Sequence, residues 1–536
     1  MIQDLNNKEN LDNNHISTQV CIIGAGTAGI FLAKLLSDKG VKVVILEAGS
    51  LKSKTTEAIQ FSSIQQGDYY RGDEKGRSFG VGGTSTLWGG QMLPLTEGDI
   101  SNRIDFGIKN WPIKYEELIP FYECINKLFN LNQEIIPNKK TNRKNFNKLF
   151  NFSGFDRYFS LRISSWIPFK KRNFYKSFLK IFKNDYSNVQ VWINSTVIKI
   201  AQSNNSNNHK IEYLIARNDS GKTIKVIPEI LIFAAGTLET TRILLEYDEA
   251  TNFSITRGGA PLGNYLSDHL SFNCGEITYK NKWKFNHAIA PFFDRGIMRT
   301  PRLELTEFTQ KKFKLTSGFV HFSFLTSSKS GFEIIRSYLR KKQGEQISSS
   351  NFSLLLIYFV ILDVFHLLFW RIVFRRLWLP KNAKFYMSID IEQPPNFNSS
   401  VFLSNDKDEF GRKKLIINWQ ITQSDIKVIT RISKLLNICW KRSFLNEIAK
   451  FEPNKINKIK SFDSLYDVYH PTGTIRMGIS SSDSIVDKNL RLWVAENGYV
   501  CSTGVFPSAG SANPGMTHLA LTARLSEHIL TKLKFN

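Results

Sequence analysis

The segment from residue 18 to residue 50 constrains the fold most, because it contains a strand, a glycine-rich turn, a helix and a second strand in immediate succession. Val20–Ile23 is short and entirely apolar, as expected of a buried strand. A helix with apolar side chains at helical spacing follows and ends near Gly40. Val41–Leu46, apolar except for Lys42, is predicted as the second strand. This order predicts a βαβ unit with parallel strands.

Gly24, Gly26 and Gly29 form a G-x-G-x-x-G turn after the first strand. The first glycine permits the tight turn, the second lets the backbone approach a pyrophosphate, and the third lets helix and strand pack closely. Glu47, at the end of the second strand, can accept hydrogen bonds from ribose hydroxyls. We therefore predict a bound dinucleotide. Its predicted contacts in this unit are Gly24, Gly26, Thr27, Ala28, Gly29, Glu47 and Ala48. The motif alone does not distinguish FAD from NAD.

The composition is that of a large globular protein. The 536 residues are 42% hydrophobic and 22% charged, which excludes a disordered chain and a small disulfide scaffold. The formal net charge is +24. The charge is diffuse and forms no long basic tail, so it indicates either a lysine-rich composition or an anionic partner such as a lipid surface or a phosphorylated substrate, and no nucleic acid is expected.

The cysteines and the N-terminal residues indicate the cellular compartment of the protein. The five cysteines are scattered without a C-x-x-C pair, so no metal site is expected and a reducing compartment is favoured. Residues 1–17 are polar, and we expect a flexible leader without a secretory signal. These features predict a cytoplasmic protein.

The rest of the chain alternates in character. Residues 111–186 are predicted as mixed helix and loop. Val189–Ile200 has strand character, and Ile227–Ala235 is fully apolar, as in a buried strand. A helix is predicted next, around Thr240–Leu245, and the chain ends with a helix over Thr517–Leu533.

Five further motifs follow in order. They are GRSFGVGGTSTLWGGQMLPL (76–95), LIFAAGTLETTRILL (231–245), GNYLSDH (263–269), YHPTGTIRMG (469–478) and TGVFPSAGSANPGMTHLALTAR (503–524). Together with the glycine turn they resemble the glucose-methanol-choline (GMC) oxidoreductase family over nearly the whole chain. The variants at Thr84–Ser85, Trp111–Ile113 and Glu392–Ser404 are similar to those of bacterial sugar and polyol dehydrogenases and pyranose oxidases.

The resemblance implies an α/β fold with two domains. The first is a Rossmann-like FAD-binding domain assembled from residues 18–110, 189–270 and 463–536. The second is an α+β substrate domain built on an antiparallel sheet, from residues 111–188 and 271–462, and it includes the apolar segment 351–378.

The resemblance also implies FAD as the cofactor. Some relatives attach the flavin covalently to a histidine where this chain has Leu87, so noncovalent FAD is expected. A helix starting at Pro514 would point its positive end at the flavin. For Val197 and the Ala234–Gly236 segment, plain core residues are an equal alternative to adenine contacts. The further cofactor contacts implied are Gly82, Gly83, Thr84, Ser85, Val197, Ala235, Gly236, Gly504, Pro514, Met516 and Thr517.

By the same resemblance, His470 is the base that takes the hydroxyl proton while hydride leaves for flavin N5. Asn513 would donate a hydrogen bond to the substrate oxygen, and His269 and His518 are interpreted as structural. The expected reaction is oxidation of CH–OH in a sugar, polyol or glycoside, by a dehydrogenase rather than an oxidase. A quinone, a protein or oxygen would accept the electrons. A lyase or isomerase, an FAD-retaining binding protein and an NAD-dependent dehydrogenase are the alternatives.

Residues 351–378 carry a second signal. Leu354–Leu362 is uninterrupted apolar sequence, but Asp363 makes the segment too short for a membrane span. Basic residues flank it on both sides. This pattern suits a helix on an anionic membrane surface, and equally a helix buried in the substrate domain or in a subunit interface. On the membrane interpretation, a quinone and a long-chain or lipid-linked alcohol become natural reactants.

Overall fold

A computed structural model of the protein describes residues 1–7, 15–52, 54–55, 63–131, 152–182, 188–203, 209–328, 330–345, 354–454 and 464–534.

The strands in chain order are β1 (Ile2–Asp4), β2 (His15–Ile23), β3 (Val43–Leu46), β4 (Lys54–Thr55), β5 (Ile64–Gln65), β6 (Ser78–Phe79), β7 (Gln91–Met92), β8 (Phe159–Trp166), β9 (Val189–Ile193), β10 (Thr196–Gln202), β11 (Ile211–Arg217), β12 (Thr223–Phe233), β13 (His269–Tyr279), β14 (Phe292–Asp294), β15 (Ile297–Leu305), β16 (Gly318–Leu325), β17 (Lys384–Glu392), β18 (Ser400–Lys407), β19 (Lys413–Asn418), β20 (Ala449–Pro453), β21 (Leu465–Asp467) and β22 (Gly498–Val500).

The α-helices are α1 (Thr27–Ser37), α2 (Arg71–Glu74), α3 (Glu97–Ile100), α4 (Tyr115–Phe129), α5 (Phe169–Arg172), α6 (Phe174–Ser177), α7 (Thr237–Ala250), α8 (Lys282–Ile289), α9 (Glu307–Phe313), α10 (Gly331–Gln343), α11 (Leu354–Phe369), α12 (Gln423–Arg442), α13 (Leu445–Ile448) and α14 (Gly515–Lys532). A 3₁₀ turn covers Gly83–Thr86, and a π-helical turn, Trp370–Phe374, continues α11.

The first sheet has the strand order β1-β9-β3-β2-β12-β11-β10, with β22 paired to β12. Strands β1, β9, β3, β2, β12 and β22 pair in parallel, and β11 and β10 add an antiparallel edge. The segments Val20–Ile23, Val43–Leu46 and Leu231–Phe233 are buried. Helices cover a parallel sheet on both faces, which explains why these strands are continuously apolar. The predicted α/β class with a Rossmann-like βαβ start is confirmed.

The second sheet is antiparallel, in the order β20-β13-β17-β16-β15-β8-β7, with β14 beside β15 and β21 beside β13. Its strands alternate in character: Leu270 and Phe272 of β13 and Ile389 and Ile391 of β17 belong to one buried apolar cluster. Helix α12 packs its buried apolar side chains into the same cluster. The opposite face of the sheet is polar and carries part of the candidate site described below.

Two sequence predictions are wrong in detail. In the expected leader, Ile2–Asp4 forms β1 and pairs in parallel with β9, while β2 already begins at His15; residues 8–14 lie outside the described residues. Within 111–186, predicted as helix and loop, Phe159–Trp166 forms strand β8 in the second sheet. In both cases the pairing partners are more than 70 residues away, so local pattern does not reveal them.

The apolar segment forms α11 and the π-helical turn after it. The side chains of Tyr358, Ile361, Leu362, Phe365 and Leu368 on this helix are exposed. The predicted alternative of a helix buried in the substrate domain is therefore wrong for the face that carries them. Among the residues that the structure describes, no helix is long and apolar enough to cross a membrane.

Candidate active site

The glycine turn joins the first sheet to helix α1. The amide of Gly24 donates to Leu46 O at 2.7 Å, and its φ of +103° is a conformation that side chains rarely adopt. A Cβ on Gly24 would lie 2.7 Å from Ala234 O. A Cβ on Gly29 would overlap Gly24 O. Both glycines therefore allow backbone segments to pack in direct contact, as the motif predicts.

The space above the turn fits a phosphate group. Gly26 precedes α1, and a Cβ built on it would meet no protein atom within 4 Å. Thr27 Oγ1, in the first turn of the helix, is buried and has no hydrogen-bond partner among the described residues. Ala28 is buried beneath it. Open space, an unpaired hydroxyl and the amides of a helix N-terminus together form a suitable site for a pyrophosphate.

The loop 80–88 lies directly on this turn. The amide of Gly82 donates to Ala25 O at 2.9 Å, and a Cβ on Gly83 would be 2.8 Å from Gly26 Cα. Thr84 is exposed. Ser85 is buried, and its hydroxyl accepts a hydrogen bond from the Phe174 amide at 3.0 Å and donates to Gly82 O. The Ser85 side chain thus holds the loop in place, while Gly82, Gly83 and Thr84 border the open space over Gly26.

Glu47 joins three segments around the turn. Its buried carboxylate accepts hydrogen bonds from the amides of Ala25 (2.7 Å), Gly49 (2.9 Å) and Gly80 (2.9 Å). Burial raises its pKa, and the three amide hydrogen bonds oppose the rise. Ala48, beside it, is partly buried. Glu47 therefore has a structural role that the sequence did not indicate, in addition to the ribose contact that the motif predicts.

Three further predicted cofactor residues lie around the same turn. Val197 is the second residue of β10 and lies two residues after Ser195, whose amide donates to Glu47 O at 2.8 Å. Ala235 contacts Gly24, and Gly236 begins α7 with a φ of +76° and open space beyond its Cα. Gly504 is buried next to the start of α7: the amide of Ile475 donates to its carbonyl at 2.9 Å, and a Cβ on Gly504 would be 3.2 Å from the Thr237 side chain.

The N-terminus of α14 lies against the same loop. Pro514 caps the helix, which begins at Gly515, one residue after the start implied by the resemblance and two residues before the helix predicted over Thr517–Leu533. A Cβ on Gly515 would be 3.2 Å from the Trp88 ring. Met516 and Thr517 are fully buried, and the Thr517 hydroxyl pairs with Tyr122 at 2.8 Å. Their side chains belong to the core, so only the backbone amides of this helix end remain to face a ligand.

His470 and Asn513, predicted as a pair, lie together. His470 Nε2 is 3.5 Å from Asn513 Nδ2, and His470 Nδ1 is 3.0 Å from His269 Nδ1. Burial, and next His269, lowers the pKa of His470 to about 3, so its ring is neutral at ordinary pH. His269, interpreted from sequence as structural, contacts this ring directly and lies 201 residues from it in the chain.

The hydrogen bonds assign the tautomer of both rings. Gly510 O can only accept, so His269 Nε2, 2.8 Å away, carries the proton. Burial lowers the pKa of His269 and keeps this ring neutral, so its Nδ1 accepts a hydrogen bond from His470 Nδ1. His470 Nε2 is then unprotonated and faces the amide of Asn513. The arrangement offers one acceptor and one donor to a bound hydroxyl group.

Asp268 fixes the backbone around the two histidines. Its fully buried carboxylate accepts hydrogen bonds from the amides of His470 (2.7 Å) and His269 (2.7 Å) and from the Tyr70 hydroxyl (2.6 Å). Burial, and next the neighbouring Asp467, raises its pKa well above the ordinary range. The motif GNYLSDH includes this position, but no local pattern connects Asp268 with His470.

Family models agree with this geometry. Residues 395–522 match the model described as GMC oxidoreductase, and residues 17–63 match the one described as FAD binding domain. The chain therefore contains an FAD-binding segment near its start and a segment of the GMC oxidoreductase type toward its end. FAD as the cofactor is confirmed, and the resemblance to GMC oxidoreductases is supported, whereas the sugar and polyol branch stays a prediction.

Solved structures share the fold of this protein. Two variants of formate oxidase from Aspergillus oryzae RIB40 align with TM-scores of 0.60 and 0.59, each at 14% identity over 97% of this chain and 99% of theirs. Pyridoxine 4-oxidase from Mesorbium loti aligns with a TM-score of 0.55 at 16% identity, over 95% of this chain and 99% of its own. No curated protein sequence matches the chain.

The polar face of the second sheet continues the candidate site beyond His269. Cross-strand partners share a face of a sheet, and Asp390 is the partner of both Ser271 and Phe319. Asp390 Oδ2 lies 3.2 Å from His321 Nε2. Asp390 Oδ1 and Arg302 Nη1 are buried without a hydrogen-bond partner in the described part of the chain. The Asp390 carboxylate raises the pKa of His470, and the Arg302 guanidinium lowers it.

This polar face could not be predicted from the sequence. The alternation FYMSIDIE in β17 indicated a strand with two different faces, but not which face meets His470. His518, in contrast, is located as interpreted: it lies within α14, and its Nε2 is 3.4 Å from Cys501 O.

Proposed function

We propose that this enzyme oxidises a CH–OH group of a polar small molecule, with a sugar, polyol or glycoside as the substrate class. The observation that carries the proposal is the 3.5 Å separation of His470 Nε2 and Asn513 Nδ2 beside a sheet face with unpaired polar atoms. A substrate hydroxyl bound between the two would donate to the imidazole and accept from the amide. Additional hydroxyls would satisfy Asp390 and Arg302.

The residues around the glycine turn would hold the cofactor. We propose that the pyrophosphate lies over Gly26 against Thr27 Oγ1, where the helix amides favour an anion. A carboxylate offers about four acceptor positions, and Glu47 uses three on backbone amides, so one is available for a ribose hydroxyl. Gly83 and Thr84 would cover the ring system. Residues 18–110, 189–270 and 463–536 would form this cofactor-binding part, and residues 111–188 and 271–462 the substrate part.

FAD, when bound, supplies a two-electron acceptor for hydride from the substrate carbon. Residues of the protein itself accept and hold the proton of the substrate hydroxyl. His470 is neutral at physiological pH and accepts the hydroxyl proton at Nε2. Its Nδ1–H continues to donate to His269, which keeps the ring oriented while it is charged. Asn513 donates to the oxygen as negative charge develops on it, and the Asp390 carboxylate favours the protonated ring.

The electron acceptor completes the proposal. We propose a dehydrogenase that passes electrons to a quinone or a protein. Both structural neighbours are named as oxidases, so oxygen is the acceptor to compare. Oxygen consumption during turnover, measured against reduction of a quinone by the same enzyme, distinguishes the two.

The test begins with the absorption spectrum of the purified protein before and after acid precipitation. A flavin spectrum that moves to the supernatant is expected for noncovalent FAD. Anaerobic mixing with sugars and polyols should then bleach the flavin. His470→Ala should retain FAD and lose roughly a thousandfold in the bleaching rate. Equal bleaching by His470→Ala, or product formation without bleaching, would contradict the proposed oxidation.

A second substrate class rests on a separate observation. The apolar side chains exposed on α11 favour a long-chain or lipid-linked alcohol that reaches the site from a membrane surface. Bleaching by long-chain alcohols in detergent, with no response to sugars or polyols, would select this class.

A further inference from the structure

Helix α11 and the turn after it expose an apolar stripe. Ile361 is 61% exposed, Phe365 65% and Ile372 75%. Their spacing of four and seven residues places them on one side of the helix. Tyr358 and Leu368 continue the stripe. Contiguous apolar surface of this kind marks a protein or membrane contact in a folded protein.

Aromatic side chains border the stripe. Trp283, at the start of α8, is 52% exposed, and its ring centroid lies 6.3 Å from that of Phe369 and 5.1 Å from that of Trp370. Trp370 itself is buried and anchors the turn to the body of the protein. Exposed Trp and Tyr at the edge of an apolar surface are typical of side chains that lie at the headgroup level of a bilayer.

The charges around the stripe are predominantly positive. Between residues 331 and 375 the sequence has six Lys or Arg and three Asp or Glu. The three acids are engaged within the protein: Asp363 accepts from the Phe332 amide, Glu333 pairs with Arg336 and Glu345 pairs with Arg340. The exposed cations are Lys341 and Lys342 at the end of α10 and Arg371 and Arg375 at the end of α11.

We infer that this stripe docks on an anionic lipid bilayer. A symmetric dimer through the same face would bring each copy's Arg371 toward the like charges of the other copy. An anionic headgroup layer instead complements the cations while the acyl region receives the apolar side chains. The formal net charge of +24 acts in the same direction. The inference concerns binding alone and does not rest on the proposed reaction.

The docked helices are connected to the loop over the cofactor. Gln343, the last residue of α10, is buried and donates from Nε2 to Ser85 O at 3.1 Å and to Trp88 O at 2.8 Å. Gln343 O in turn accepts from Asn173 Nδ2 at 2.6 Å. Helix α10 has 13 residues and so spans about 20 Å. Because Gln343 at the end of α10 contacts the loop 80–88, docking of the stripe would place this loop within about 20 Å, the length of α10, of the headgroups.

The test is vesicle co-sedimentation of the FAD-loaded protein. Vesicles are phosphatidylcholine alone or phosphatidylcholine with about one quarter phosphatidylglycerol. We expect at least about tenfold tighter binding to the anionic vesicles. The triple variant Ile361→Ser, Phe365→Ser, Ile372→Ser should lose about tenfold or more in that binding. A control pair, Ile104→Ser with Ile479→Ser, removes similarly exposed apolar side chains elsewhere and should bind like wild type.

Further measurements separate the alternatives. Brominated lipids should quench the tryptophan fluorescence of the unmodified protein, and Trp283→Phe should lose part of that quenching. Arg371→Gln should weaken anionic-vesicle binding by roughly fivefold. Equal binding of wild type and triple variant to anionic vesicles would overturn the inference. So would a wild-type dimer in light scattering that the triple variant dissociates, because a second copy would then cover the stripe.

Discussion

The Nδ1 atoms of His269 and His470 lie 3.0 Å apart, and the carbonyl of Gly510 on the far side of His269 determines which of the two carries the shared proton. The proton lies on His470. Because His470 Nδ1 carries the proton, His470 Nε2 is unprotonated and faces Asn513. His269 is therefore a positioning residue, which orients the His470 ring.

His269→Leu tests this relay. We expect the variant to bind FAD and to lose roughly 10- to 100-fold in the rate of substrate-dependent flavin bleaching, because the His470 ring is no longer oriented. The pKa of His470 should also rise, since His269 contributes to lowering it. The bleaching rate, flat above pH 5 in wild type, should then fall at a higher pH in the variant. Stopped-flow bleaching across pH measures both effects.

The controls for this variant use a conservative change and a second histidine. His269→Gln retains a polar side chain at the position and should recover part of the rate. His518→Gln removes another histidine with a lowered pKa that does not contact His470, and should leave the pH profile unchanged. A slower rate in His269→Leu with an unmoved pH profile would mean that His269 is only structural.

Sequence reasoning located the parts of this site that are local. The glycine turn, the second strand and Glu47 lie within 30 residues, so their relative positions in a βαβ unit can be predicted from their spacing. His470 and Asn513 were found through motifs.

The remainder depends on long-range pairing. His269 meets His470 across 201 residues, and the polar face around Asp390 arises from the register of β13, β16 and β17. Likewise the apolar spacing of α11 fits a buried and an exposed helix equally well. Only the packed fold shows which side chains remain exposed.

Gly26→Ala tests whether the open space over the turn holds the cofactor. The backbone of Gly26 has φ −82° and ψ −165°, which alanine adopts without strain, and its Cβ would meet no protein atom. We expect an apoprotein with unchanged melting temperature and an FAD Kd at least about tenfold higher, because the methyl group would occupy the pyrophosphate position. Fluorescence titration of the apoprotein with FAD measures this.

Gly258→Ala is the matched control. This glycine also has open space at its Cβ and a φ outside the left-handed region, but it lies in the turn Thr256–Gly258, apart from the loop 80–88. It should bind FAD like wild type. Equal FAD affinity in the two variants would contradict the proposed position of the pyrophosphate over Gly26.

The pH dependence of stability should reveal the buried His518. Burial lowers its pKa in the folded state to about 4, whereas the unfolded chain titrates near 6.5. Protonation therefore favours the unfolded chain, and stability is lost as pH falls below about 6.5 toward 4. Relative to His518→Gln, the wild-type free energy of unfolding should fall by roughly 1.4 kcal/mol per pH unit in this window. Urea denaturation at pH 7, 6 and 5 measures it, and parallel pH slopes would contradict it.

Asp390→Asn tests the polar face as the substrate-binding surface. Asp390 Oδ1 has no partner among the described residues, and Oδ2 lies 3.2 Å from His321. Loss of the charge should raise the KM of a polyhydroxy substrate by about tenfold, the cost of one charge-assisted hydrogen bond, with a smaller change in kcat. FAD affinity should not change, because Asp390 lies on the second sheet. Steady-state kinetics on the substrate found by bleaching measures both constants.

Asp425→Asn supplies the contrast for that measurement. Asp425 is equally buried and also has an unpaired Oδ1, but it belongs to the capping box that starts α12. Its loss should lower the melting temperature, by an amount equivalent to about 1 kcal/mol of stability, and leave KM unchanged. If both variants raise KM alike, the effect comes from a loosened sheet, and the substrate does not contact Asp390. A KM effect confined to Asp390→Asn assigns the polar face to substrate recognition.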